Sequence, residues 1–202
     1  MNLTEALQGR RLITHIPAGM PDWVGACEVL LQERIRAWSF EPTDLDRASE
    51  ALALFGRRAR IGVHGVRTPD DAAAAARCGV HFMTSPIAAV ELLDAAGEIP
   101  VALGALTPNE VQRALDLGAS TVQIVPADGM GTAYGRALGE LFGGVSLLAT
   151  GRFERYQCDM WRDAGAELAC ITSAILFTDQ AAAVDPDLDA VRRRCQEFSD
   201  IA

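Results

Sequence analysis

The chemistry open to these 202 residues is bounded first by a missing group. All 18 basic residues are arginine, and there is no lysine. Imine formation needs an unprotonated primary amine, and guanidinium, with a pKa above about 12, does not supply one. The α-amino group of Met1 is the only primary amine in the chain. Other reactive types are present but dispersed. Cys27, Cys78, Cys158, Cys170 and Cys195 form no C-x-x-C pair, so they read as reduced packing thiols and not as a disulfide framework or zinc knuckle. His15 and His64, with Glu41 or Asp128, form a conceivable divalent-metal set that would polarise a carbonyl as a Lewis acid, or an acid/base group. No H-x-x-x-H spacing supports it, and the plainer reading is of polar residues at strand ends. Arg152 with Thr172 and Ser173 would suit a bidentate anion clamp, against the plainer reading of a surface arginine paired with Glu154 or Asp159. Asp128, after Pro126-Ala127, either lines the site or caps the next helix, and capping is favoured. His81 reads as a hydrogen-bonded core residue.

These residues need a scaffold to bring them together, and the apolar pattern provides one. Short runs rich in branched residues begin near 11, 35, 58, 80, 99, 120, 144 and 167. Each is followed by a segment of helical character, at a spacing that just holds one strand, one helix and two tight loops. Eight such units in one compositional regime predict a single α/β domain over residues 1–202, a small (β/α)8 TIM barrel. A doubly wound open sheet would be expected to show a Gly-rich first loop, which is missing. Helix starts are legible at Thr68-Pro69-Asp70-Asp71 and Thr107-Pro108-Asn109-Glu110, each with an N-cap, Pro at the first helical position and an acid that can return a bond to the cap. Gly79, Gly118 and Gly165 end helices just before strands. A helix over Leu3 to Leu7 is expected to cap the bottom of the barrel. A last amphipathic helix is expected over Asp187 to Phe198, after a loop or short turn at 177 to 185.

In such a barrel the site lies at the C-terminal strand ends, on the βα loops. That places His15, Ser39 to Glu41, His64, Thr84-Ser85, Leu103, Gln123 to Asp128, Thr150 to Arg152 and Thr172-Ser173 around one mouth. The ring is polar but has no nucleophile beside an evident base in sequence.

Composition narrows the partners. The net charge is −9, aromatics are 6% of residues, and the arginines are scattered along the sequence, so neither a nucleic-acid nor an anionic-membrane partner is expected. No apolar run approaches the roughly 18 residues of a membrane span and no secretory signal is evident. A cytoplasmic location is the expectation, and no cofactor is implied.

One set of motifs is more specific. Thr107-Pro108-Asn109-Glu110-Val111, Ala114-Leu115, Leu117-Gly118-Ala119 and Val122-Gln123-Ile124-Val125-Pro126-Ala127-Asp128 resemble the 2-keto-3-deoxy-6-phosphogluconate / 4-hydroxy-2-oxoglutarate (KDPG/KHG) aldolase family. The likeness runs over residues 10 to 177, including Gly62-Val63-His64-Gly65-Val66, Ser85-Pro86, Gly104 and Thr150-Gly151. It implies a homotrimeric barrel that cleaves 2-oxo-acid aldols to pyruvate and an aldehyde through a lysine Schiff base. The family's reactive residues do not carry over. By this resemblance the Schiff-base lysine falls on Gln123, the acid/base glutamate on Ser39, the substrate-holding arginine on or beside Pro17, and a threonine on Gly65. At the implied phosphate site a glycine falls on Arg152, and a glycine and serine fall near Thr172 to Ala174.

Three readings follow. The leading one is an aldolase-family barrel without Schiff-base catalysis that binds a small oxo-acid or phosphorylated ligand through Gln123, Glu41, His15, His64, Thr150, Arg152, Thr172 and Ser173. The second is a metal- or acid/base-dependent lyase or isomerase using His15, His64 and Glu41. The third is a non-catalytic structural or partner subunit with a closed mouth.

Overall fold

The computed structural model describes residues 2–177 and 187–202. Eight parallel strands close in sequence order: β1 (Leu12–His15), β2 (Ala37–Phe40), β3 (Arg60–His64), β4 (Phe82–Thr84), β5 (Val101–Ala105), β6 (Val122–Ile124), β7 (Leu147–Gly151) and β8 (Leu168–Ile171). Before them comes α1 (Leu3–Leu7), and between them α2 (Trp23–Gln32), α3 (Leu45–Phe55), α4 (Pro69–Cys78), α5 (Val90–Ala96), α6 (Pro108–Asp116), α7 (Thr132–Leu141) and α8 (Arg155–Asp163). After β8 follow α9 (Ser173–Leu176) and α10 (Leu188–Gln196). The small TIM barrel expected from the spacing is thus the observed fold. No helix among the described residues is long and apolar enough to cross a membrane.

The local signals act as expected. Thr68 and Thr107 close capping boxes with Asp71 and Glu110, and Asn2 does the same with Glu5 at the start of α1. Gly79, Gly118 and Gly165 adopt φ of +77°, +94° and +105°, a region that favours glycine. Asp187 caps α10, which buries Val191 and Cys195. The loop expected at 177 to 185 falls, from 178 onward, outside the described residues.

The strand register decides what meets inside the barrel. Alternate residues point inward, and the pairs His15↔Ser39, Ser39↔Gly62, Gly62↔Phe82, Gly104↔Gln123 and Thr150↔Cys170 keep the inward set in step from strand to strand. A dry inner cluster of Ile13, Ala37, Phe82, Ala102, Leu148 and Leu168 fills the lower barrel, and Leu3 and Leu7 of α1 plug it from below. Phe82 fills the space that Gly62 leaves: a Cβ on Gly62 would lie 2.4 Å from the Phe82 ring. Outside the strands, a larger apolar layer joins the helices to the sheet. It includes Trp38, set edge-on to Phe55.

One expectation is corrected here. Arginines that are scattered in sequence gather in space, because the segments leading into β1, β2 and β3 lie side by side. Arg10, Arg34 and Arg36 line one cavity, and Arg10, Arg36, Arg57 and Arg58 line another.

Candidate functional site

Above the dry cluster, the C-terminal strand ends carry a belt of polar side chains that bond mainly to one another. Gln123 on β6 is buried. Its Nε2 donates to the Ser85 carbonyl at 2.9 Å, and its Oε1 accepts from the Thr150 hydroxyl at 3.2 Å. The Cys170 thiol on β8 lies between the Thr150 hydroxyl and His15 Nε2, the latter at 3.1 Å. His15 stacks flat on His64, with centroids 3.6 Å apart and planes within 3°. His64 Nδ1 lies 3.1 Å from Ser39 Oγ. The belt therefore passes through β6, β7, β8, β1, β3 and β2 and is anchored to the end of β4. The loop after β4 seats over β5: a Cβ on Gly104 would lie 2.2 Å from the Pro86 carbonyl carbon.

Electrostatics keep this belt neutral. Burial, and then the charge of His64, hold the His15 imidazole well below its ordinary value. Burial pulls His64 down to about 4 against a smaller opposing bond to the Ser39 backbone. Burial pushes the Cys170 thiol up, further than its Thr150 hydrogen bond lowers it. Desolvation disfavours whichever form is charged, so at neutral pH the Cys170–His15 contact is thiol to imidazole and not an activated thiolate–imidazolium pair.

The structure brings together His15, Ser39, His64, Ser85, Gln123 and Thr150, but Glu41 and Asp128 stay out of the belt. Glu41 lies past the end of β2, exposed, with its carboxylate 3.5 Å from the Thr43 hydroxyl. The one-residue step beyond Phe40 carries it out of the belt. Asp128 is exposed and does not cap α7, whose N-cap is Gly131 with no side-chain capping bond. The favoured capping role is thus corrected. Three residues separate Asp128 from the helix start, too many for its side chain to serve as the N-cap. Asp128 instead abuts the end of β7, where a Cβ on Gly151 would lie 2.8 Å from its Oδ1. Among the described residues no group of three His, Cys, Asp or Glu is arranged to hold a metal ion.

At the β7–β8 corner, Arg152 is exposed, Ser173 opens the four-residue α9, and the Thr172 hydroxyl is buried with no hydrogen-bond partner among the described residues. Asp128 brings a carboxylate to this same corner. Pro17 is half-buried beyond β1, and Gly65 turns the chain after β3 at φ +75°. His81 is hydrogen-bonded as expected, but it is half-buried at the start of β4, where its Nδ1 accepts the Ile61 N–H at 2.9 Å.

Cys170 is the belt member that the sequence reading placed among packing thiols. Its parity was the available signal: it stands two residues before Thr172, on the inward face of a strand whose next inward residue was already a candidate. Replacing Gln123 by Leu should expose the interdependence of this belt. The change leaves the Ser85 carbonyl without its Gln123 partner and the Thr150 hydroxyl with Cys170 alone, and should cost about 2 kcal/mol in urea unfolding. A loss below about 0.5 kcal/mol would show that these bonds contribute nothing.

With this geometry in view, comparison with known proteins becomes specific. No curated protein matches the chain in sequence. A solved 4-hydroxy-2-oxoglutarate / 2-dehydro-3-deoxyphosphogluconate aldolase from TTHB1 is 28% identical over all of this chain and 98% of its own, with a TM-score of 0.82. A 2-keto-3-deoxy-6-phosphogluconate aldolase from Zymomonas mobilis superposes with a TM-score of 0.84 at 16% identity, covering 100% of this chain and 98% of its own. The KDPG aldolase from Legionella pneumophila, solved with pyruvate captured as a covalent carbinolamine, gives 0.79 at 20% identity and 95% of each chain. At such identities the last two speak for the fold alone. The family model for KDPG and KHG aldolases matches residues 24–194, and on that match the chain belongs to the KDPG and KHG aldolase family.

Proposed function

We propose that this protein is an aldolase-family barrel that binds a small 2-oxo acid or a phosphorylated relative at its mouth without forming a Schiff base. The observation that carries this reading is Gln123. The family resemblance puts the imine-forming lysine at this position, and the amide there is held by Ser85 and Thr150 on either side. An amide nitrogen does not condense with a ketone, but it can exchange one internal hydrogen bond for one to a ligand carbonyl or carboxylate. The half-buried edges of His15 and His64 and the Thr172 hydroxyl, unpartnered among the described residues, are the further groups a ligand would meet. The homotrimer implied by the family is part of the same proposal, checked by sedimentation of the purified protein.

The covalent arm has a direct test. Incubation with pyruvate and borohydride, followed by intact-mass and peptide analysis, should leave no adduct at any position other than the Met1 amine. The Legionella aldolase is the positive control, since its pyruvate was captured covalently. A trapped adduct elsewhere, or cleavage of a hydroxy-oxo acid at an enzymatic rate in EDTA, would overturn the proposal. A thermal shift with pyruvate or 2-oxoglutarate that Gln123→Leu abolishes supports the non-covalent arm.

The acid/base reading keeps one supporting observation, the His15–His64 stack with Ser39 at 3.1 Å from His64. A neutral imidazole beside a hydroxyl is competent as a general base. Turnover of an oxo acid that persists in EDTA, leaves no borohydride adduct and is lost in His64→Gln would favour that reading over the first.

A further inference from the structure

The mouth is not the only place where the barrel concentrates chemistry. At the opposite end, Arg10 precedes β1, Arg36 precedes β2 and Arg60 opens β3. Burial first, and then the neighbouring charges of Arg60 and Arg36, lower the pKa of the Arg10 guanidinium. Arg10 is fixed in place: its Nη1 donates to the Leu7 carbonyl at 3.1 Å and its Nη2 to the Arg58 carbonyl at 3.3 Å. Its Nε, like that of Arg60, is buried with no hydrogen-bond partner among the described residues.

A fourth arginine is delivered by a backbone conformation that does not suit it. Arg34, in the turn from α2 to β2, has φ of +69°, whereas Gly79, Gly118, Gly144 and Gly165 occupy the left-handed positions of other helix-to-strand turns. Non-glycine residues held in this region are concentrated at functional sites.

Two adjoining cavities open onto these side chains. One, of about 400 Å³, is lined by Gln8, Gly9, Arg10, Arg34, Arg36 and Ala202. The other, of about 650 Å³, shares Arg10 and Arg36 and adds Arg57, Arg58 and one acid, Glu28. Counter-charge is scarce. Glu28 pairs with Arg58 at 3.6 Å, and among the described residues Arg10, Arg34, Arg36, Arg57 and Arg60 form no ion pair. The chain as a whole carries −9, so this concentration of positive charge is opposite in sign to the molecule that bears it.

We infer that this floor of the barrel is a binding site for a small polyanion carrying at least two adjacent phosphoryl groups. Guanidinium forks match phosphoryl oxygens in bidentate geometry, and several forks around one cavity suit a multiply charged ligand better than a single carboxylate. The cavity volumes lie in the range of small-ligand sites. They favour a diphosphate or triphosphate over a macromolecule. The site does not depend on the reading of the mouth, because its residues come from the other ends of the strands.

The test uses inorganic pyrophosphate and tripolyphosphate in EDTA, by calorimetry and thermal shift. Both should bind and stabilise the protein, at least tenfold more tightly than orthophosphate. Affinity should fall between 50 and 200 mM NaCl. Arg36→Gln, at an exposed position, and Arg34→Gly, which removes the left-handed arginine, should each weaken binding at least tenfold while the protein remains folded. The inference is overturned if neither anion binds at millimolar concentration, if both variants bind as well as the parent, or if a single-stranded oligonucleotide binds more tightly than tripolyphosphate.

Discussion

Lowering the pH from 7.5 to 5 is expected to remove at least about 2 kcal/mol from the folding free energy of this protein. The cause is the stacked pair at the mouth. Burial keeps His15 and His64 neutral, with His64 titrating at about 4 and His15 well below its ordinary value. In the unfolded chain both take up protons near pH 6.5. Between those limits the unfolded state binds more protons, so the stability present above about pH 7 is lost as the pH falls through 6.5 toward 4. His64 contributes about 1.4 kcal/mol per pH unit in that window, hence about 2 kcal/mol at pH 5, and His15 adds to it with the same sign. His81, also lowered chiefly by burial, acts with the same sign. Urea midpoints at the two pH values provide the check, with His64→Gln and the double variant His15→Gln/His64→Gln expected to flatten the profile in steps. A parent protein as stable at pH 5 as at 7.5 would show that the imidazoles are not desolvated.

Phe82→Ala should cost about 3 to 5 kcal/mol, the range for removing a fully buried aromatic. Phe82 is fully buried in the inner cluster, packed beside Gly62 of the neighbouring strand. The companion change distinguishes specific packing from general burial. Gly62→Ala should destabilise the parent by about 1 to 3 kcal/mol, since its Cβ would sit at 2.4 Å from the ring and force overpacking. In the Phe82→Ala background the same methyl enters vacated space and should cost almost nothing. A double-mutant cycle that returned no coupling would refute the pairing.

The elements were legible because each carries its own punctuation. Capping residues at Thr68 and Thr107, positive-φ glycines at Gly79, Gly118 and Gly165, and branched runs of strand length are local signals. A barrel of eight equal units follows from their spacing. The site was only partly legible, because its contacts join residues that no local pattern relates. Gln123 and Thr150 were nameable as mouth residues. Their mutual hydrogen bond, and the inclusion of Cys170, depend on register between strands whose paired residues are at least twenty positions apart. Glu41 and Asp128 show the opposite error. Residue type and approximate position suggested chemistry, but a single step past a strand end sent one side chain to solvent, and the other stops short of the helix it was expected to cap. The arginine floor was missed for a related reason: arginines about two dozen residues apart look scattered until three successive strands stand side by side.

The polar belt at the mouth carries a consequence for motion. Links contributed by different strands share protons and stacking, so no strand tip within the belt can fray while its neighbours keep all their partners. Amide hydrogens at these tips should then exchange as one cooperative unit, with a common opening free energy, where an ordinary barrel rim of independent loops would show a graded series. Cutting the circuit at any single link would divide that unit, and a substitution on one side of the barrel would become visible as faster exchange on the other.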